Sequence, residues 1–327
     1  MRYRISAKPG DISEWGPEHS VDTNGSTTYS NVYRLSETDK IYNFHRGIGW
    51  NPNYMVSEDE GESWQYGGQL LAFEGRPYLR YASNNTDRIH FITTEEHPRN
   101  YNNSIYHGYT DGDSLYHSGG QVLGPLSRNE FTDIKPHDFT TVFNGDSTMR
   151  ANVAWTSDIE LDGEGHPYVA FSVTKDPVEI GARGDTAKGG FDHRYHYARW
   201  DGKQWQEYEI AYAGSRLYAG ENEYTGLITL HPEDPNVVYI SADVDPQTGE
   251  ELNPGGEQRH EIFQGTTSDR GATWEWTAVT EDSEADNIRP IVVSNEKYEA
   301  VLWLSGRYTT YKDYDLEVLG IINELEN

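Results

Sequence analysis

The sequence predicts an all-β fold of many short antiparallel strands, and three observations carry that prediction. Tyr and Trp favour pleated, half-buried surfaces; they number 24 and 9 against 3 Met, and no amphipathic helix of ordinary length stands out. Asp-Gly or Asn-Gly pairs recur at Asn24-Gly25, Asp111-Gly112, Asn144-Gly145, Asp162-Gly163 and Asp201-Gly202. Such pairs suit hairpin turns that need positive φ. The pattern S/T-x-D-x-G-x-x-W occurs twice, at Ser57 to Trp64 and at Thr267 to Trp274, with a weaker echo at Trp200 to Trp205. No linker or low-complexity run divides the 327 residues, so a single domain over 1–327 is expected.

The repeated phrase resembles the Asp box, or BNR repeat, in which Asp and Gly close a hairpin turn and Trp packs between sheets. That resemblance implies a β-propeller of four-stranded antiparallel blades, and it makes Asp59 and Asp269 structural rather than catalytic. Five blade-like units follow in order, roughly 27–70, 75–122, 151–212, 222–280 and 286–322, with a remnant before residue 20. Five to six blades are therefore visible where the family expectation is seven, which leaves room for lost N-terminal blades.

Within the second unit, His90 to His117 gathers four histidines into one hairpin. Ile89-His90-Phe91-Ile92-Thr93 and Ser104 to Tyr109 alternate as strands do, and Glu95 to Asn103 forms the loop between them. His97, Arg99, Asn102 and Asn103 lie on that loop, where a rigid sheet commonly carries its functional groups. Ile105, His107 and Tyr109 share one face of the second strand. A polar surface hairpin would read the same way.

Charge narrows the function. The net charge of −28 comes from 54 acidic and 26 basic residues, which argues against nucleic acid as a partner. A site for an anionic substrate must then be a locally basic island. Arginine outnumbers lysine 18 to 8, which suits bidentate recognition of carboxylates. No run approaches the apolar length of a membrane helix, and the absence of cysteine excludes disulfides and thiolate chemistry. The N-terminus lacks the apolar core of a signal peptide and reads as starting inside a strand. Either a signal and earlier strands were removed or the protein is not exported. No metal-ligand spacing and no Walker or Rossmann glycine loop is present.

Several phrases in order give a more specific likeness: His97-Pro-Arg-Asn with Asn103 to Tyr109, Trp155-Thr-Ser-Asp-Ile with His166 to Phe171, and His193 to Gly202. Tyr224-Thr-Gly-Leu-Ile with Asp234 to Ser241, Asn287-Ile-Arg-Pro290, and Trp303 to Tyr308 leading to Asp315 continue the series. Over about residues 27 to 320 the chain resembles the BNR-repeat polysaccharide lyases, which include ulvan lyases and rhamnose–glucuronate lyases. The resemblance implies a catalytic histidine, tyrosine and arginine with a second tyrosine nearby. Matched by phrase, the tyrosine is Tyr168, the arginine Arg194, the second tyrosine Tyr224, and the histidine His97 or His107. Expected substrate contacts are Arg99, Asn102, Asn103, His196, Arg289 and Arg307. Two departures stand out: the Gly-rich insertion Ile180 to Gly190 makes Arg183 a competitor of Arg194, and Leu227 replaces the glycine expected after Tyr224-Thr-Gly.

The implied activity is β-elimination on a uronic-acid, ulvan-like polysaccharide, in a secreted or periplasmic monomer without a membrane partner. No cofactor is required for it, and a structural ion in the propeller channel is left open. The residue types fit, because removing a C5 proton α to a carboxylate needs that carboxylate's charge neutralised by Arg or imidazole. A tyrosine on the right face can then move the proton from C5 to the departing O4. Two other classes stay open. An Asp-box glycosidase of the sialidase type would need a carboxylate pair, although the Arg-Ile-Pro phrase is missing. A non-catalytic glycan-binding propeller would stack sugars on Trp155, Tyr197 or Trp303.

Overall fold

Five antiparallel sheets follow one another along the chain as the blades of a β-propeller. The computed structural model describes residues 1–145, 152–176 and 189–325; Arg183 and most of the Gly-rich insertion lie outside them. The first blade is Thr28–Leu35, Lys40–Arg46, Pro52–Ser57 and Gln65–Gln69. In the second, Leu79–Ser83, Arg88–Thr93, Ile105–Asp111, Ser114–His117 and Val122–Pro125 are joined by Thr140–Phe143, which pairs with Ile105–Asp111. The third comprises Val153–Leu161, Pro167–Thr174, His193–Trp200 and Trp205–Gly214, and the fourth Ile228–Leu230, Val237–Ala242, Glu261–Thr266 and Glu275–Ala278. The fifth has three strands, Asp286–Ser294, Tyr298–Thr310 and Asp313–Glu324. Before the first blade, Arg2–Tyr3 pairs with His19–Ser20 and Ser6–Lys8 with Asp11–Trp15.

Local chemistry accounts for the hairpins. In the third blade the turn Asp201-Gly202 closes because Asp201 Oδ1 accepts the amides of Lys203 and Gln204, both at 2.8 Å, while Gly202 takes φ +90°. Both S/T-x-D-x-G-x-x-W segments fold alike between the third and fourth strands of their blades. Asp269 Oδ1 accepts the Thr273 amide at 2.9 Å, the Gly271 amide donates to Thr267 Oγ1 at 3.1 Å, and Arg270 and Gly271 are left-handed. Asp59, Ser57, Ser63 and Gly61 repeat the pattern in the first blade. Trp274 is buried against Tyr197 of the preceding blade, so the turn carries an anchor between sheets.

Apolar clusters join consecutive blades. Phe44, Leu70, Phe91 and Leu115 bind the first to the second, and Ile92, Ile105, Ala154 and Phe171 the second to the third. Tyr168, Tyr195, Ile228 and Trp274 link the third to the fourth, and Tyr239, Ile262, Val301 and Trp303 the fourth to the fifth. Pro167–Thr174 is buried at every position, as a strand packed on both faces must be. The outer strand Asp313–Glu324 differs, because among the described residues one of its edges is unpaired. Val318 and Ile322 there are 66% and 69% exposed, in a strand that also carries Asp313, Asp315, Glu317 and Glu324.

Candidate active site

The first strand of each blade runs near the centre, and three of these strands are broken by a bulge where they meet a shared cavity. In the first blade Thr28 pairs with Arg46 and Asn31 with Phe44, so Tyr29 and Ser30 together oppose His45. In the third, Ser157 is the extra residue between Thr156 and Asp158. In the fifth, Arg289 and Pro290 stand between Ile288 and Ile291 opposite Trp303 alone. A bulge re-aims a side chain that regular alternation would point elsewhere. Tyr29, Ser157 and Arg289 all line the cavity, whose volume is about 230 Å³.

Backbone strain collects in the same place. Tyr29, Leu227 and Arg289, all lining residues, have φ of +66°, +75° and +56°. Bulky residues in the left-handed region cost on the order of 1 kcal/mol or more each and persist where the surroundings over-determine them. Leu227, where the family resemblance leads one to expect glycine, adopts a left-handed conformation of the kind glycine favours.

The walls combine aromatic rings with an imidazole and three guanidinium groups. Tyr29, Tyr78, Tyr81, Trp155 and Tyr224 line the cavity together with His45, Arg46, Arg80 and Arg289. Trp155 meets Tyr224 edge-on at 5.0 Å and Tyr78 at 5.3 Å, which fixes both phenols. Arg46 lies over the rings of Tyr29 (4.9 Å) and Tyr78 (5.4 Å). Its Nε and Nη1 are buried without a hydrogen-bond partner among the described residues. Arg46, Arg80 and Arg289 form no ion pair among the described residues, although the chain carries a net charge of −28. Arg289 instead faces the Tyr308 ring at 5.8 Å. Among the described residues Glu223 is the one carboxylate in the lining, where hydrolysis by paired carboxylates would need two.

Burial shifts the proton affinities of two lining groups in opposite directions. Burial pushes the His45 pKa below 6.5, so its imidazole is neutral at neutral pH. Its Nδ1 faces the Asn43 carbonyl at 3.4 Å, and its Nε2 is buried without a partner among the described residues. With the proton on Nδ1, Nε2 offers a lone pair. Burial drives the Tyr224 phenol well above its ordinary value, with Tyr78 and Glu221 reinforcing the shift, so it stays protonated.

The expected site residues divide into three groups. Tyr224 and Arg289 lie in the lining. The loop residues sit directly behind the wall: His97 is buried against Tyr78 (5.5 Å) and Trp155 (5.1 Å), and Arg99 is buried in an ion pair with Glu221. Asn103 braces the loop by accepting the Glu96 amide at 3.0 Å and donating to the Glu96 carbonyl at 2.7 Å, and the half-buried Asn102 stands beside it. The remaining candidates are held elsewhere. Tyr168 is fully buried between the third and fourth blades, where its hydroxyl donates to the His231 carbonyl at 2.5 Å. Arg194 is paired with Asp192 at 2.9 Å and stacked on Tyr212 at 3.7 Å. His107 is enclosed by His90 (3.1 Å) and Ser118 (2.8 Å), and His196 by Glu207 (2.5 Å) and the Phe171 ring. Arg307 is exposed and pairs with Asp313 at 3.4 Å. Of the possible sugar-stacking aromatics, Trp155 reaches the cavity while Tyr197 and Trp303 are buried in inter-blade packing.

Tyr168→Phe separates the two placements of the tyrosine. Leaving the His231 carbonyl unpartnered should cost about 1–3 kcal/mol of stability. Turnover of folded protein should stay near wild type, whereas a base at this position would show a loss of about 10²–10⁴-fold. Thermal unfolding and initial rates on the same preparation check this.

Sequence reasoning missed His45, Arg46, Tyr78 and Arg80. The available signal was His45-Arg46-Gly47, an imidazole and a guanidinium ending a strand just before a Gly-Ile-Gly turn.

A model of the BNR repeat-containing family matches residues 1–213. No curated protein sequence matches the chain significantly. Among solved structures, it is similar to a PL25 ulvan lyase, described as a new family of polysaccharide lyase and bound to -[GlcA(1-4)Rha3S]-. That likeness has 15% identity and a TM-score of 0.64, over 97% of this chain and 69% of the other. Similarity to the polysaccharide lyase Uly1 has 13% identity and a TM-score of 0.50, over 98% and 64%. An endo-arabinase from Bacteroides thetaiotaomicron is more distant, with 13% identity and a TM-score of 0.41 over 91% and 93%. At such identities the likeness shows the propeller fold alone.

Proposed function

The chain belongs to the BNR repeat-containing family, and from that premise we propose that it is a polysaccharide lyase cleaving a uronic-acid-containing, ulvan-like polymer by β-elimination in the central cavity. The observation that carries the reading is the convergence of Arg46, Arg80 and Arg289 on one aromatic-walled cavity, with Arg46 Nε and Nη1 buried and unpartnered. Buried guanidinium N–H groups without an acceptor are costly, and a substrate carboxylate would satisfy both through two charge-assisted hydrogen bonds.

In the reaction, Arg46 takes the uronate carboxylate, and Arg289 and Arg80 add positive charge around it. The C5–H bond breaks toward His45 Nε2, its electron pair forms the C4–C5 double bond, and the C4–O4 bond breaks. O4 takes the Tyr224 phenol proton. The products are an unsaturated uronate and a chain ending in a free 4-hydroxyl. His45 and Tyr224 exchange their protons with water before the next turnover. His97 and Trp155 hold Tyr78 and Tyr224 in place without touching the reacting atoms. The chemistry needs no cofactor. A secreted or periplasmic location suits a polymer substrate, and no described helix is long and apolar enough to cross a membrane.

The test is absorbance at the unsaturated-uronate band while the protein is incubated with ulvan and other uronate polymers. A rise with wild type that falls by about 10²-fold or more in Tyr224→Phe is the expected result. Reducing ends released without that absorbance would replace the lyase reading with hydrolysis.

A further inference from the structure

The turn after Arg46 carries a feature that the cavity chemistry does not use. Gly49 and Trp50 are consecutive left-handed residues, at φ +66° and +65°, and together they lift the Trp50 indole into water at 56% exposure. The turn is rigid. Trp50 N donates to the Gly47 carbonyl at 3.0 Å and Gly47 N to the Asn51 carbonyl at 2.9 Å. Asn51 Oδ1 accepts the Phe73 amide at 3.0 Å, and Gln69 Nε2 donates to the Ile48 carbonyl at 3.3 Å. A strained backbone that exposes a large aromatic gains nothing from packing, so the conformation points to a ligand.

The surroundings indicate which ligand. Arg46 lies over the Trp50 ring at 5.4 Å and Arg76 over it at 5.8 Å. Arg46 belongs to the cavity lining, so a strip of cation, aromatic ring and second cation leads outward from it. Arg76 forms no ion pair among the described residues, although Glu74 and Glu96 are near enough to shape the local field. We propose that Trp50 and Arg76 form an outer glycan subsite: the indole stacks on the sugar next to the one in the cavity, and Arg76 binds an anionic group on that neighbouring residue. The group is a carboxylate or a sulfate ester, each presenting two anionic oxygens that can accept from the planar guanidinium fork. This rests on the reading of the cavity as a site for an anionic polysaccharide, and it adds a second point of attachment along the polymer.

Binding tests it without requiring turnover. Affinity for ulvan, carboxyl-reduced ulvan, desulfated ulvan and neutral dextran is measured by calorimetry in the Tyr224→Phe background, so that polymer is not consumed. Trp50→Ala should weaken ulvan binding about tenfold, the scale of one stacking or cation–π contact, and Trp50→Phe should recover most of it. Arg76→Gln should weaken ulvan binding similarly, and its effect should vanish against whichever modified polymer lacks the group it reads. Parental affinity in both Trp50→Ala and Arg76→Gln overturns the subsite, as does a loss that Trp50→Phe fails to recover. If no unsaturated uronate forms yet anionic polymer binding still depends on Trp50 and Arg76, the lyase reading falls and the subsite stands. If product forms and Trp50→Ala binds ulvan normally, the reverse holds.

Discussion

Arg46→Gln is expected to lower kcat/KM on uronate polymer by about 10²–10³, the scale of losing one preorganised donor to developing negative charge. It should do so without loss of stability. The Arg46 Nε and Nη1 atoms have no hydrogen-bond partner among the described residues, and replacing an unpaired, desolvated charge by a neutral amide removes a penalty. The melting temperature should therefore stay level or rise while activity collapses. Arg46→Lys should recover little of the rate, because an ammonium supplies charge but neither the planar fork nor the flat face that lies over Tyr29, Trp50 and Tyr78. Measuring steady-state kinetics and thermal unfolding together decides the matter. An Arg46→Gln protein within threefold of wild-type kcat/KM would remove Arg46 from the carboxylate site.

His45→Gln should reduce kcat by about 10²–10⁴ and change the pH profile. Burial lowers the folded pKa of His45 below 6.5, so the base-competent neutral form is present at and above that pH and is lost only as pH falls through the lowered value. The acid limb of kcat/KM should accordingly lie below pH 6.5, and His45→Gln should erase it, leaving a small residual rate that is level across that window. At the alkaline end no limb should appear up to pH 10, because the Tyr224 phenol holds its proton above its ordinary value of 10.0. An acid limb that survives the His45→Gln substitution would assign the base elsewhere.

The blades were legible because each is made of local signals. Asp-Gly turns, alternating strands and the repeated Trp phrase act over a few residues, and the sheets observed between Thr28 and Glu324 match the units read from them. The cavity is built the opposite way. Its lining runs from Tyr29 to Arg289, from the first strands of four blades, the segment leading into the first strand of the other, and residues of neighbouring strands, and bulges in three first strands add Tyr29, Ser157 and Arg289 to it. A bulge shifts register by one residue, which no alternation pattern marks in advance. Tyr224 and Arg289 could be named because each sits in a distinctive phrase. Tyr168 sits in an equally distinctive phrase, yet its strand is buried on both faces, so its hydroxyl turns to a backbone carbonyl. His45 and Arg46 belong to Lys40–Arg46, whose wording is that of any half-buried strand.

The free edge of the last blade has a consequence for how this protein behaves at high concentration. A twelve-residue strand with one edge unpaired among the described residues, and with Val318 and Ile322 exposed, would ordinarily template sheet growth from one molecule to the next. Asp313, Asp315, Glu317 and Glu324 make that edge self-repelling, so two copies approaching strand to strand meet like charges before they meet each other's amides. The guard is electrostatic and therefore conditional. It weakens as the solution approaches the isoelectric point near 4.6 and as added salt shortens the reach of the carboxylates. Colloidal stability in this molecule is thus set by the same acidic surplus that isolates its basic cavity.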